Sequence, residues 1–180
     1  MRTQLLAASA VLLIASVAWA DVESGPKVGD PVSPLKVFAV VGKLTDKEVD
    51  YAAERKDEPT IYLLVNAARF GRPAARFMKV LDEKLGDAPP NTYVVAVWVT
   101  DDVEKSKKYL PLAQSSIKFS NTALTVCGSP TGPDLWSVNA DADVTVVVAN
   151  RGKVVAKYGY VSVNDTLVAP VLEALKKSAQ

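Results

Sequence analysis

The sequence predicts a mixed α/β sandwich in a single domain, and three observations carry that prediction. Two uninterrupted β-prone apolar runs, TIYLLV at residues 60–65 and YVVAVWV at 93–99, read as strands buried on both faces of a largely parallel sheet. Between them Ala74, Phe77, Met78, Leu81 and Leu85 recur at helical spacing, so the connection is a helical crossover. Near the C-terminus two more strand-like runs flank Asn150-Arg151-Gly152-Lys153, a hairpin signature that adds antiparallel strands. A length of 180 residues fits one domain at about 150 residues per domain.

The elements follow in order. Residues 1–20, MRTQLLAASAVLLIASVAWA, place Arg2 before an apolar run and end on Ala18 and Ala20, the layout of a secretory signal peptide cleaved before Asp21. The apolar run is shorter than the ~20 residues a spanning helix needs, and no Cys follows to take a lipid. The expected location is therefore periplasmic or secreted, with no membrane span after signal removal. Residues 21–33 form an extended lead-in rich in Pro, Gly and charge, and the domain occupies 34–180. Residues 35–41 are a strand candidate, 42–46 its turn, and 47–51 a returning strand with Val49 and Tyr51 on one face. After the strand at 60–65, Pro73 suits the first turn of the crossover helix, which Gly86 and Pro89-Pro90 stop. Asp101 or Asp102 caps a charged helix toward Gln114, bent or broken near Pro111. Residues 122–126 make a third short strand, and 134–138 a brief helical turn. Strands at 144–149 and 154–158 close the sheet, and Asn164 caps a last helix in which Pro170 counts against continuity.

Composition excludes several classes of function. The chain has no His, which removes imidazole zinc ligands and a Ser-His-Asp triad. One Cys cannot form an internal disulfide or a CxxC pair. A net charge of +1, with no basic tract, gives no footprint for nucleic acid. Neither a Gly-rich phosphate loop nor a Gly-x-Ser-x-Gly elbow is present, and no cofactor is expected.

Three segments together resemble the thioredoxin fold, in particular its extracytoplasmic thioredoxin and redoxin proteins. VGDPVSPLKVFAVVGK is similar to that group's opening hairpin, KDEPTIYLLVNA to the turn and Pro before the first central strand, and VTVVVANRGKVVAKYGY to the closing hairpin. The resemblance spans residues 28–177 and implies a thioredoxin-like three-layer sandwich with a mixed central sheet and flanking helices. It also implies where chemistry would sit. Active members carry Trp-Cys-x-x-Cys at the start of the first crossover helix, but here Phe70 and Pro73 stand at the two Cys positions, and no peroxiredoxin-type Cys is present there. The family's cis-Pro position falls near Asp143 or Val144, and neither is Pro. Thiol–disulfide exchange needs a thiolate, so the resemblance implies a binding or scaffold module without dithiol chemistry. Its partner would be a protein or peptide, since thioredoxin folds engage extended peptides along that edge.

The candidate binding residues are Arg69, Phe70, Arg72, Arg76, Asp141 and Asp143. Arg69, Arg72, Arg76 and Lys79 fall at helical spacing and could form a basic stripe, either a solvated face or a holder for an anion at the helix start. The resemblance places the loop before the last hairpin opposite that helix start, which favours pairing of Arg69 and Arg72 with Asp141 or Asp143. Asp141 and Asp143 as an acid/base pair or Ca²⁺ loop lack a third ligand at loop spacing. Cys127 is the alternative catalytic residue, a one-thiol peroxidase or oxidoreductase centre; otherwise it is a small buried residue at a strand end, or bridges a dimer. Trp136, Tyr158 and Tyr160 either line a groove or pack in the core, and Asn164-Asp165-Thr166 is either a helix cap or a glycosylation acceptor.

Overall fold

The computed structural model describes residues 21–180, and the expected signal peptide lies outside the described residues. Seven strands form one sheet: β1 Lys36–Val41, β2 Lys47–Asp50, β3 Thr60–Asn66, β4 Tyr93–Val99, β5 Thr122–Cys127, β6 Val144–Asn150 and β7 Lys153–Tyr160, in the order β2-β1-β5-β4-β3-β6-β7. Four helices accompany them: α1 Tyr51–Arg55, α2 Arg72–Glu83, α3 Val103–Ile117 and α4 Val168–Ser178. The sheet is mixed. β3, β4 and β5 run parallel because α2 and α3 carry the chain back between them, while β1, β6 and β7 pair antiparallel.

Alternation along the strands divides the core. One face carries Ile61, Leu63, Val65, Val94, Ala96 and Trp98 against Phe77 and Leu81 of α2, Leu110 of α3 and Leu172 of α4. The other face carries Tyr62, Leu64, Val95 and Val97 against Tyr51 of α1 and Trp136. This second layer is mostly irregular chain. Trp136 is fully buried, meets Tyr62 edge-on at 5.0 Å and donates its Nε1 hydrogen to the Pro34 carbonyl at 3.1 Å, so one side chain pins the long β5–β6 connection to the sheet. The helical turn expected at 134–138 is absent, because Leu135 and Ser137 take positive φ on either side of that anchor.

Three further expectations need correction. Tyr51 opens α1 instead of ending a strand, because the Asp50 carboxylate accepts the amides of Ala52 and Ala53 at 3.1 and 3.3 Å. Pro111 lies inside α3 without ending it, and the helix runs on to Ile117. Pro170 falls in the first turn of α4, where its missing N–H would have had no helical partner, so α4 is continuous. The Arg151-Gly152 turn takes positive φ at both residues, as a tight hairpin requires.

The lead-in is part of the sheet's edge. Val22 bridges Gly159 and Pro31 bridges Lys153, so residues 21–33 run beside β7. Asp21 and Val22 both donate their amides to Gly159 O, at 2.8 and 3.2 Å. A Cβ at Gly159 would collide with the Val22 carbonyl oxygen, so this close approach needs glycine. No helix of the described residues is long and apolar enough to cross a membrane.

Candidate functional site

The parallel strands β3, β4 and β5 end side by side at Asn66, Val99 and Cys127. In open α/β sheets, ligands bind beyond the carboxyl ends of such strands. Here each face of the sheet has a cavity at that end.

On the helical face, Asn66 closes β3 and its side chain accepts the Ala68 amide at 3.1 Å, which starts a 3-10 turn at Ala67–Arg69. Arg69 then reaches across to the segment before β6, donating from Nη1 to the Asp141 carbonyl at 2.7 Å and lying 3.5 Å from Asp143 Oδ1. The Asp143 carbonyl accepts the Asn66 amide at 3.0 Å, so β3, the turn and the 141–143 segment are tied together. Phe70 follows, half-buried, with its ring 4.9 Å from Trp98 and 6.1 Å from Tyr109 of α3. These three rings wall a cavity of about 330 Å³ that Thr100, Asp101, Asp102 and Lys105 complete.

The basic stripe is not a free patch. Arg69 pairs with Asp143, Arg76 with Asp165 at 2.8 Å, and Lys79 with Glu83 at 3.7 Å. The expected pairing thus holds for Arg69, while Arg72 makes no ion pair among the described residues. Asp141 contributes its backbone carbonyl, and its amide is held by the Asn139 side chain. No group of three or more His, Cys, Asp or Glu side chains suited to a metal occurs among the described residues.

Cys127 is far in sequence from the start of α2 but stands at the same end of the sheet, two strands or roughly 10 Å from Asn66. Its side chain belongs to the opposite face, in a cavity of about 410 Å³ lined also by Pro34, Lys36, Ser129, Asp134 and Leu135. The residue is 8% exposed. Burial pushes its thiol up, with the Asp134 carboxylate adding to the effect, and a hydrogen bond from the Ser129 backbone opposes both without cancelling them. Lys36 lines the same cavity, yet the net effect of the surroundings still raises the thiol.

Trp136 and Tyr160 are core residues at 0% and 1% exposure, whereas Tyr158 is half-buried and stacks on Tyr160 at 5.8 Å. Asn164 caps the 3-10 turn Asp165–Leu167, accepting the Thr166 amide at 2.9 Å, and not α4 itself, which starts at Val168 without a side-chain cap. Sequence reasoning missed the wall formed by Trp98 and Tyr109. For Trp98 the signal was present, since in YVVAVWV the alternate residues Val94, Ala96 and Trp98 share one face. Tyr109 gave none, because a β–α–β packing register decides which helical residue meets the strand end.

Solved structures of similar fold include a yeast mitochondrial 1-Cys peroxiredoxin, with a TM-score of 0.59 at 13% identity over 85% of this chain and 78% of that one. A thiol peroxidase from Chromobacterium violaceum superposes with a TM-score of 0.60 at 13% identity, covering 86% and 89% of the two chains. A DsbF homologue from Corynebacterium diphtheriae gives 0.60 at 18% identity, covering 81% and 86%. No family model matches the chain, and no curated protein matches it either. The architecture, a mixed sheet flanked by helices, is therefore a thioredoxin-like fold. Likeness at these identities speaks for the fold and leaves activity to the site.

Proposed function

We propose that this is an exported thioredoxin-like module without dithiol redox activity, which binds a protein or peptide partner at the helical-face end of its parallel strands. The observation that carries the reading is Phe70. In the segment joining β3 to α2, an aromatic ring stands beside a cavity, packed on Trp98 and flanked by Arg69 and Arg72, and no thiol occurs in that segment. Half-exposed aromatic anchors beside arginines are the residue types that dominate protein recognition. Export is supported by the layout of residues 1–20. The buried, protonation-favouring surroundings of Cys127 support the binding reading over a one-thiol enzyme, because peroxide reduction and disulfide exchange both need an accessible thiolate.

Site-specific photo-crosslinking in exporting cells tests it. Leu112 is 68% exposed one turn along α3 from Tyr109, and Leu135 is 75% exposed beside the Cys127 cavity. A photoreactive residue at 112 is expected to yield discrete protein adducts that vanish with Phe70→Ala. Adducts that form only from position 135, or that survive Phe70→Ala, would overturn the reading.

A further inference from the structure

We propose that the Phe70–Trp98–Tyr109 cavity takes the side chain of an arginine in an extended segment of the partner. The inference rests on the binding reading above and specifies its ligand chemistry. Three aromatic rings form the walls, and two carboxylates, Asp101 and Asp102, stand among the lining residues. Asp101 makes no ion pair and no side-chain hydrogen bond among the described residues. Asp102 uses Oδ1 to accept the Lys105 amide at 3.0 Å, which caps α3 and leaves its second oxygen without a protein partner among the described residues.

The lining charges decide the sign of the ligand. A helix N-terminus by itself favours an anion, through its dipole and free N–H groups. Here the Asp102 carboxylate already takes one of those amides, that of Lys105, and with Asp101 it outweighs the single positive charge of Lys105 among the lining residues. An anion entering the cavity would meet two carboxylates, while a cation would meet carboxylates and aromatic faces together. Among cationic side chains, arginine fits best. Its planar guanidinium stacks on rings and offers a fork of donors to neighbouring carboxylates, and its aliphatic stem packs on apolar wall. Lysine supplies a point charge that cannot do both. The cavity volume of about 330 Å³ suits one long side chain and its flanking backbone, at the lower end for ligand sites.

The experiment is an NMR titration of ¹⁵N-labelled protein spanning residues 21–180 with the peptide Ac-Gly-Ala-Arg-Ala-Gly-NH₂ and with its citrulline counterpart, which keeps the shape and loses the charge. The arginine peptide is expected to shift the Trp98 indole and the Asp101 and Asp102 amides saturably, and the citrulline peptide to bind at least about tenfold more weakly, as loss of a charge-assisted contact of ~1.4 kcal/mol implies. Asp101→Asn is expected to weaken the arginine peptide. Lys105→Gln is expected to strengthen it, because the competing cation is gone. Equal binding of the two peptides, an anion-like weakening by Lys105→Gln, or no shift at Trp98 at any peptide concentration would each overturn the proposal. Such a failure stays separate from failure of the binding reading, since adducts from position 112 that depend on Phe70 would persist if the partner docks there by other chemistry.

Discussion

Arg69 and Asp143 join two segments 74 residues apart, the turn after β3 and the approach to β6, through Nη1 and Oδ1 3.5 Å apart. Both side chains are partly solvated, at 43% and 27% exposure, so the ion pair itself contributes at most ~1 kcal/mol. Its importance is local. The same guanidinium holds the Asp141 carbonyl, while Asp143 donates its amide to Tyr160 O at 2.7 Å and accepts from Asn66. Arg69→Ala is expected to lower global stability by less than about 1 kcal/mol yet to speed amide exchange at Asn66 and Asp143 severalfold. Hydrogen exchange followed by NMR beside urea unfolding separates the two effects, and an unchanged exchange rate would show that the backbone bonds alone hold the segment.

Asp82 is the buried carboxylate with the most to lose. It lies near the end of α2 at 7% exposure and accepts Ser120 N at 2.8 Å, Asn121 N at 2.9 Å and the Thr122 hydroxyl at 2.7 Å, so it fixes the chain's entry into β5. Asp82→Ala leaves these donors without an acceptor and is expected to cost about 2–4 kcal/mol, measured by urea unfolding. Asp82→Asn keeps one acceptor oxygen and should recover part of the loss. Thr122→Val removes only the hydroxyl bond and should cost about 1 kcal/mol.

Stability should be lost on the alkaline side. Burial pushes the phenols of Tyr51 and Tyr62 up to about 12 from 10.0, Tyr51 further raised by Tyr93 and Glu54, and raises Tyr93, Tyr158, Tyr160 and the Cys127 thiol in the same direction. Each group keeps its proton longer in the folded chain than in the unfolded one, so its contribution is complete below the unfolded value and falls as pH rises toward the folded value. The window opens near 9.0 for the thiol and 10.0 for the phenols. Unfolding free energy should therefore hold steady through neutrality and decline from about pH 9 to 12, with tyrosinate absorbance at 295 nm rising in step with loss of circular dichroism. Phenolate absorbance complete by pH 11 in a chain that stays folded would contradict the burial argument. The same logic makes alkylation of Cys127 slow at pH 7 and fast on unfolding.

What the sequence revealed was set by local pattern, and what it concealed depended on distant partners. TIYLLVN and YVVAVWV announced central strands because both faces of a parallel strand are buried, whereas the register Ile61↔Val94 through Val65↔Trp98 is not encoded by runs that are apolar on both faces. Helix α1 stayed hidden because five residues carry too little periodicity, and its start depends on the Asp50 carboxylate bonding Leu35 as well as its own helix. The Arg69–Asp143 pair could be reasoned out only through the resemblance, which placed the loop before β6 opposite the start of α2. The aromatic cavity needed the packing of α3 against β1 and β5, which no spacing in VEKSKKYLPLAQSSI encodes.

The lead-in carries the last expectation. β7 lies at the edge of the sheet, and an uncovered edge invites pairing with another chain. Residues 21–33 cover it from Asp21, whose carboxylate accepts the Val161 amide at 2.9 Å, to Val32, whose amide donates to Gly152 O at 3.0 Å. Between these points the Ser24 and Thr145 hydroxyls bond at 2.6 Å, and Lys157 reaches Gly25 O at 3.1 Å. Gly159→Ala would drive a methyl group into the Val22 carbonyl and to 2.8 Å from Ser24 Cβ, displacing this cover. It is expected to cost about 1–3 kcal/mol and to produce concentration-dependent association through the exposed β7 edge, read by urea unfolding and by light scattering after gel filtration. Gly86→Ala, where an added methyl would meet nothing within 4 Å, should stay within about 0.5 kcal/mol of the parent. If Gly159→Ala unfolds at lower urea yet remains monomeric at high concentration, the lead-in contributes packing alone and β7 is protected from pairing by its own twist and charge.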